Sequence, residues 1–335
     1  MTRFLPRLTR RFAFVAIIAA CSGDDVGGPA PPPPLPVPNV IRLQSEPGDF
    51  IGVGQAYEYT QASALIGVTF SSHVIHVRVD GDQWWVGEFA LPATMPLQAG
   101  IYGGATLFPG SPQGTPGINW FGEGRACNGL LGSFIIDSVT HIGGALTSID
   151  MRFEQRCHGG TAALRGTVHW RADDPTVPPG PVDPVPTNLW KPDQAFVPPS
   201  GTYVLLASDP GDFIGAGEFR VYTPPISPIT VQSTGTMITV HVGGYSGEFL
   251  TMLGTVPLKR GYYGNLRRWP FYNPARGGLA WSGNGRGCGT LTGWFAIDQI
   301  EYTGASMTAL EMRFEQHCEG IVPALRGSIR WSQPS

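Results

Sequence analysis

Two long stretches of this sequence repeat each other, and this duplication limits the chain to two copies of one domain. The segment from Arg125 to Trp170 aligns without a gap on the segment from Arg286 to Trp331, with 21 of 46 positions identical. A second block, Ser45 to Gly54, recurs as Ser208 to Gly217. The long segments are offset by 161 residues. Each copy is therefore long enough to bury its own core, unlike the shorter units that stack into solenoids.

Proline-rich stretches mark the edges of the two copies. One lies before the first copy, at 29–38, and another lies between the copies, at 173–200. We therefore expect a first domain over 40–171, a proline-rich linker over 172–201 and a second domain over 202–332. Consecutive prolines favour the extended polyproline II conformation, so the segment 21–39 is predicted to be a spacer.

Short runs that alternate apolar and polar side chains predict β-strands. The segment Ile149–Gln155 alternates strictly and places Met151 and Phe153 on one face, and Leu310–Gln316 alternates in the same phase. With 46 glycines and 32 prolines in 335 residues, long helices are excluded. Further strands are predicted at 40–44, 57–60, 74–79, 85–91, 133–139, 164–170 and 237–242. The fold class is all-β, with two tandem antiparallel β-sandwich or jelly-roll-like domains; a small barrel fits the same pattern.

The N-terminus has the features of an export signal. Four arginines and no acid precede a nine-residue apolar run, 12–20, which is too short for a membrane-spanning helix. The run ends in Ile18-Ala19-Ala20-Cys21, which resembles the lipobox of bacterial lipoproteins. The resemblance implies a signal peptide over 1–20 and palmitate-type lipidation of Cys21. An ordinary signal peptide is the alternative, and 9–12 also resembles a twin-arginine signal.

The residue after the cysteine bears on location. Ser22 rather than aspartate follows Cys21, which by resemblance to the sorting rule of enteric bacteria favours the outer membrane or cell surface. Removing 1–20 takes away four arginines and no acid, so the net charge falls from −3 to −7. A basic surface for nucleic acid is therefore not expected. The expected partners are a membrane, through the lipid, and a surface glycan or envelope protein.

The remaining four cysteines form two equally spaced pairs. Cys127 and Cys157 lie 30 residues apart, as do Cys288 and Cys318. Because an exported chain meets an oxidising environment, we predict one disulfide within each copy. A four-cysteine zinc site is not expected, since no Cys-x-x-Cys pair occurs and the halves lie in different domains.

Charged residues shared by both copies indicate structure more than catalysis. They are Asp49/Asp212, Glu88/Glu248, Arg125/Arg286, Asp137/Asp298, Arg152/Arg313, Glu154/Glu315 and Arg165/Arg326. We interpret them as cross-strand ion pairs and turn anchors. A glycoside hydrolase that pairs Glu88 with Glu154 is the alternative, and it requires carboxyl groups about 5–9.5 Å apart. No cofactor or metal is expected: the acids are scattered, which disfavours calcium, and Asp80-Gly81-Asp82 is predicted to be a hairpin turn.

One segment differs strongly between the copies. Residues 259–272 combine four cations with aromatic side chains, whereas the corresponding stretch 97–120 has no charged residue. Arginine binds carboxylate or phosphate in bidentate fashion, and aromatic rings can stack on sugars. We predict a binding surface for an acidic glycan or another polyanion, formed by Arg260, Arg267, Arg268, Trp269 and Tyr272. A variable loop that caps the domain is the alternative.

The motifs Gly-Arg-x-Cys, Met-Arg-Phe-Glu-Gln-x-Cys-x-Gly and Ala-Leu-Arg-Gly occur in both copies, within 124–166 and 285–327. Together they resemble a domain of exported proteins from Gram-positive and myxobacterial lineages. The resemblance implies a secreted location and no activity. The sequence therefore predicts a non-catalytic, lipid-anchored envelope protein with a binding or structural role, and a polysaccharide-active hydrolase is the alternative.

Overall fold

A computed structural model describes residues 37–158 and 160–334. The predicted signal peptide, Cys21 and most of the predicted spacer lie outside the described residues. The regular secondary structure of the described residues is β-strand, apart from one short 3-10 turn at Gln194–Phe196. No helix in these ranges is long and apolar enough to cross a membrane.

Each domain contains ten strands. Domain 1 has β1 (Val40–Ser45), β2 (Ala56–Thr60), β3 (Leu65–Ser71), β4 (Val74–Asp80), β5 (Trp84–Ala90), β6 (Gly100–Leu107), β7 (Gly117–Gly122), β8 (Leu130–Ile142), β9 (Ala145–Cys157) and β10 (Leu164–Arg171). Domain 2 has β11 (Tyr203–Ser208), β12 (Phe219–Tyr222), β13 (Ile229–Ser233), β14 (Met237–Val242), β15 (Tyr245–Leu250), β16 (Gly261–Arg268), β17 (Gly278–Gly283), β18 (Leu291–Thr303), β19 (Ser306–Cys318) and β20 (Leu325–Ser332).

The strands of each domain form one sheet that wraps into a barrel-like body. The order in domain 1 is β2-β1-β10-β9-β8-β6-β7-β5-β4-β3, and domain 2 repeats it with the corresponding strands. Neighbours are antiparallel except β6 with β7 and β16 with β17. The predicted all-β class, the tandem domains and one disulfide per domain are confirmed. Of the architectures that the sequence allowed, the structure adopts the barrel-like one.

The strongly alternating segments were predicted well, and the glycine-rich ones were not. The seven strands predicted in copy 1 correspond to β1, β2, β4, β5, β8, β9 and β10, and the turn at 80–82 joins β4 to β5. Strands β3, β6 and β7 were not predicted from the sequence. Glycines at 100, 103 and 104 carry no side chain, so β6 lacks the alternation on which the predictions depended.

Aromatic side chains fill the core at positions where glycine makes room for them. Phe89, Phe134 and Phe153 are buried together, with the Phe89 ring 5.2–5.4 Å from the other two. A Cβ at Gly87 would lie 2.4 Å from the ring of Trp120. In domain 2, a Cβ at Gly247 would lie 2.2 Å from the ring of Trp281. The absence of a side chain at these two glycines therefore leaves space for the tryptophan rings, which are the largest side chains of the core.

A buried glutamine completes the sheet where β6 ends. The parallel ladder runs from Thr106 N–H to Pro116 O and from Phe108 N–H to Ile118 O. Two residues further on, Trp120 N–H donates to Gln155 Oε1 at 2.8 Å, and Gln155 Nε2 donates to Trp120 O at 2.8 Å. The side-chain amide thus replaces a peptide group of the missing strand, and Gln155 is fully buried. We call this arrangement the glutamine latch.

Domain 2 has the same latch. Gln316 accepts from Trp281 N–H at 2.9 Å and donates to Trp281 O at 2.8 Å. A disulfide lies two residues beyond each glutamine, Cys127–Cys157 in domain 1 and Cys288–Cys318 in domain 2. Both predicted pairings are therefore present. In domain 1, latch and disulfide together join the end of β9 to β7 and to the loop that follows β7. In domain 2 they join the end of β19 to β17 and to the loop that follows β17.

We expect Gln155→Leu to lower the free energy of unfolding of domain 1 by about 2–5 kcal/mol, because two buried backbone groups lose their partners. Gln316→Leu should do the same in domain 2. Gln44→Leu, on an exposed strand position, is the matched control and should change stability by about 0.5 kcal/mol or less. Urea unfolding measures all three. Equal stabilities of Gln155→Leu and Gln44→Leu would contradict the role of the latch.

Candidate functional site

The shared acids at the start of each domain hold a turn. The Asp49 carboxylate accepts from the Gly52 N–H at 2.7 Å and from the Ser45 hydroxyl at 2.7 Å. Asp212 makes the same bonds with Gly215, at 2.6 Å, and Ser208, at 2.8 Å. Both carboxylates are buried. The predicted turn-anchoring role of this pair is confirmed.

Two of the three shared arginine pairs, Arg152/Arg313 and Arg165/Arg326, form cross-strand ion pairs, as predicted. The third pair does not: Arg125 donates to Ile51 O at 2.7 Å instead. Arg165 binds Glu154 and Glu46, each at 2.6 Å. In domain 2, Arg326 binds Glu315 at 2.5 Å and Asp209 at 2.7 Å. The hydrogen bond from Arg165, together with one from the Ala163 N–H, holds the pKa of Glu46 below its usual value. The lowered pKa makes Glu46 a poor proton donor.

The two carboxylates of the hydrolase hypothesis belong to separate networks. Glu154 is bonded to Arg156 and Arg165 on β9 and β10. Glu88, on β5, accepts a hydrogen bond of 3.4 Å from Asn119 on β7. Three strands, β8, β6 and β7, separate β9 from β5 in the sheet. No hydrogen bond connects the two glutamates within 37–158 and 160–334, and these ranges contain no cluster of three potential metal ligands.

The residues predicted to bind a polyanion occupy two different places. Arg267 and Arg268 end β16, and Trp269 follows, with its N–H bonded to Leu279 O at 3.1 Å. The Arg268 guanidinium lies 5.6 Å from the centre of the exposed Phe271 ring, and Tyr272 packs beside Gly278. Arg260 precedes β16, so an eight-residue strand separates it from this cluster, roughly 25 Å at full extension.

Arg260 instead holds the linker. It forms an ion pair of 3.0 Å with Asp183 and donates to Asp298 O at 3.2 Å. The alternative interpretation, in which 259–272 is a loop, is also wrong, because most of the segment is strand β16. The sequence could not reveal this, since glycines at 261 and 264 interrupt the alternation.

Residues just after the cluster connect the two domains. The buried Asn273 side chain donates to Ser63 O and to Asp82 Oδ1, both at 2.9 Å. Arg276 lies 3.3 Å from the same carboxylate. Asp82, in the β4–β5 turn, is therefore a docking point for domain 2. No sequence pattern indicated a role for Asn273, Arg276 or Asp82 between the domains.

A pocket of about 630 Å³ opens on the outer surface of domain 1. We call this surface the open face; it is formed by β2, β1, β10, β9 and β8. Its lining includes Arg42, Glu58, Ile135, Arg152, Glu154 and Arg165. Arg152 is anchored by Asp137, with 2.8 Å between Nη1 and Oδ1, and 54 % of its side chain is exposed. A cleft of similar volume, about 660 Å³, lies among glycine-rich turns of domain 2 and has no carboxylate in its lining.

The equivalent surface of domain 2 is occupied by the linker; we call it the covered face. Arg313, the counterpart of Arg152, binds Asp298 through two contacts of 2.7 Å and donates to Trp190 O at 2.6 Å. Only 7 % of its side chain is exposed. Arg330 donates to Pro198 O at 3.3 Å, and Pro192 is buried. The linker is therefore packed against domain 2 rather than extended away from it.

The counterparts on the two faces differ in exposure as this packing requires. Leu205, Ala296, Arg313 and Ser328 are buried on the covered face. The equivalent residues on the open face are exposed or half-buried; they are Arg42, Ile135, Arg152 and Thr167. From the sequence, Arg152 and Arg313 were predicted only to form ion pairs. Leucine at 205 against arginine at 42 was the signal that one copy had a buried outer face.

Comparisons with known proteins add no functional assignment. No family model matches the chain, and no curated protein matches it. A solved structure of a protein of unknown function from Nostoc punctiforme, in the DUF3598 family, is 9 % identical to this chain. The alignment covers 88 % of this chain and 94 % of that one, with a TM-score of 0.20. A likeness this weak carries no argument about the fold or the function.

The paired arginines give a direct test of the difference between the two faces. We expect Arg313→Ala to lower the free energy of unfolding by about 2–4 kcal/mol, because it leaves Asp298 and a linker carbonyl without a buried donor. Arg152→Ala is the matched variant and should cost less than about 1 kcal/mol, since its ion pair is exposed. Urea unfolding decides the matter. Equal losses would contradict the assignment of a covered and an open face.

Proposed function

We propose that the protein is a non-catalytic component of a bacterial cell envelope that acts by binding a partner through domain 1. One observation carries the proposal. The chain already uses the outer face of domain 2 to bind a polypeptide segment, its own linker, and domain 1 offers the equivalent face with a pocket of about 630 Å³.

Further observations support an envelope location and argue against catalysis. Both cysteine pairs in the described residues are disulfide-bonded, which suits an oxidising compartment. The carboxylates of the open face are held by arginines, as Glu154 is by Arg165 and Glu58 is by Arg42 at 2.7 Å. A glycoside hydrolase needs one carboxyl group that can donate a proton. The resemblance of 18–21 to a lipobox supports a lipid anchor at Cys21 and an outer-membrane or surface position.

Lipidation is tested by expressing the chain with its N-terminus intact and feeding cells a labelled palmitate. The wild-type protein should carry the label and sediment with membranes. Cys21→Ala should lose both properties, while the neighbouring control, Ser22→Ala, should keep them. An unlabelled wild-type protein in the soluble fraction would contradict the anchor.

A second binding surface is proposed at the end of β16. The exposed contact between Arg268 and Phe271, beside Arg267 and Trp269, combines cations with aromatic rings. Such a combination suits an acidic glycan or another polyanion. Arg260 does not belong to this surface, because it pairs with Asp183 at the other end of the strand.

For this surface we expect the double variant Arg267→Ala and Arg268→Ala to elute earlier than wild type from a column of immobilised acidic polysaccharide. Arg78→Ala with Arg171→Ala removes the same charge from exposed sites elsewhere and serves as the control. Retention measured at several salt concentrations separates a specific loss from a general charge effect. Identical elution of the two double variants would contradict a glycan site at β16.

A further inference from the structure

We propose that the open face of domain 1 binds a proline-rich segment of another polypeptide, as the covered face of domain 2 binds the linker. This inference rests on the proposed binding function and names the chemical class of the partner. The covered face of domain 2, with the linker bound to it, shows how such a face holds a polypeptide segment.

The linker shows which chemistry the covered face recognises. Residues 182–198 include four prolines and cross domain 2 from β16, where Val182 and Tyr262 exchange backbone bonds of 2.9 and 3.0 Å, to β20. The contacts that fix it on the sheet go to backbone carbonyls, Trp190 O from Arg313 and Pro198 O from Arg330. A proline-rich segment suits such donors, because its carbonyls are free of internal hydrogen bonds.

The open face keeps the main donor of this arrangement. Arg152 on β9 occupies the position that Arg313 has on β19. In the sheets, Arg152 pairs with Thr167 on β10, and Arg313 pairs with the equivalent Ser328 on β20. Asp137 orients its guanidinium as Asp298 orients that of Arg313. Within 37–158 and 160–334, Asp137 supplies the only hydrogen bond of the Arg152 side chain. N–H groups therefore remain to meet a carbonyl.

The dimensions of the open face suit a short segment. Five strands form it, so its width is about four strand spacings, or roughly 19 Å. A polyproline-like chain advances about 3.1 Å per residue and would cross the face with about six residues. Arg42 and Glu58 replace Leu205 and Val221 of the covered face, so the partner's segment is expected to be more polar than the linker.

The test uses the purified full chain and a fluorescent synthetic peptide with the sequence of residues 182–198. Fluorescence anisotropy should show saturable binding, and Arg152→Ala should weaken it about tenfold or more, since a charge-assisted hydrogen bond is lost. Arg78→Ala, an exposed arginine on β4, should leave the affinity unchanged. A peptide with its four prolines replaced by alanine should bind more weakly, because it must be ordered on binding.

Several results would overturn the inference. These are the absence of binding, equal affinity for wild type and Arg152→Ala, and equal affinity for the two peptides. Binding that survives Arg152→Ala would mean that the peptide displaces the linker from domain 2. A polysaccharide that binds in an Arg152-dependent way, where the peptide does not, would exclude a polypeptide partner and leave the proposed binding function intact. Loss of palmitate labelling with intact peptide binding would contradict the envelope location alone.

Discussion

Each domain depends on a glutamine side chain that takes the place of a missing piece of strand. Strand β6 leaves the sheet at Leu107, so the peptide group of Trp120 would face the core without a partner. An unpaired backbone group in that position costs about 1–3 kcal/mol, and Trp120 has two. Gln155 satisfies both at 2.8 Å, and Gln316 does the same for Trp281. The aromatic core packs around these tryptophans, and the disulfides fix the strands that carry the glutamines.

Because the glutamine latch and the aromatic core lie inside each domain, the outer surface can differ between the two copies. Both domains keep the latch, the buried aspartate turn and the cross-strand arginines, yet their outer faces differ. In domain 2 Leu205 is buried and Arg313 is held beneath the linker, whereas domain 1 exposes Arg42 and half of Arg152. The duplicated fold thus supplies a stable body twice, and among residues 37–158 and 160–334 nothing covers the outer face of domain 1 as the linker covers that of domain 2. The proposals on function follow from this difference.

Most of the fold could be predicted from the sequence because its strongest strands alternate clearly. Ile149 to Gln155 predicted β9, and the inward phase that contains Met151 and Phe153 also contains Gln155, a polar residue that already required a buried partner. Strand β6 was missed because glycines replace side chains that would reveal alternation, and β7 because only four residues lie between its terminal glycines. The site was harder to predict. Packing of the linker depends on tertiary contacts such as Arg313 with Trp190 O. The sequence signal for it was a comparison of the two copies, leucine at 205 against arginine at 42, and not a local pattern.

Amide hydrogen exchange at Trp120 and Trp281 tests the latch most directly. If Gln155 and Gln316 complete the sheets, these two N–H groups should exchange as slowly as the most protected core amides, such as that of Phe153, and only through global unfolding of their domains. The account predicts protection of this order in the wild-type protein. Exchange of either tryptophan amide at the rate of an exposed edge strand would show that the ladder ends with β6, and would contradict the account.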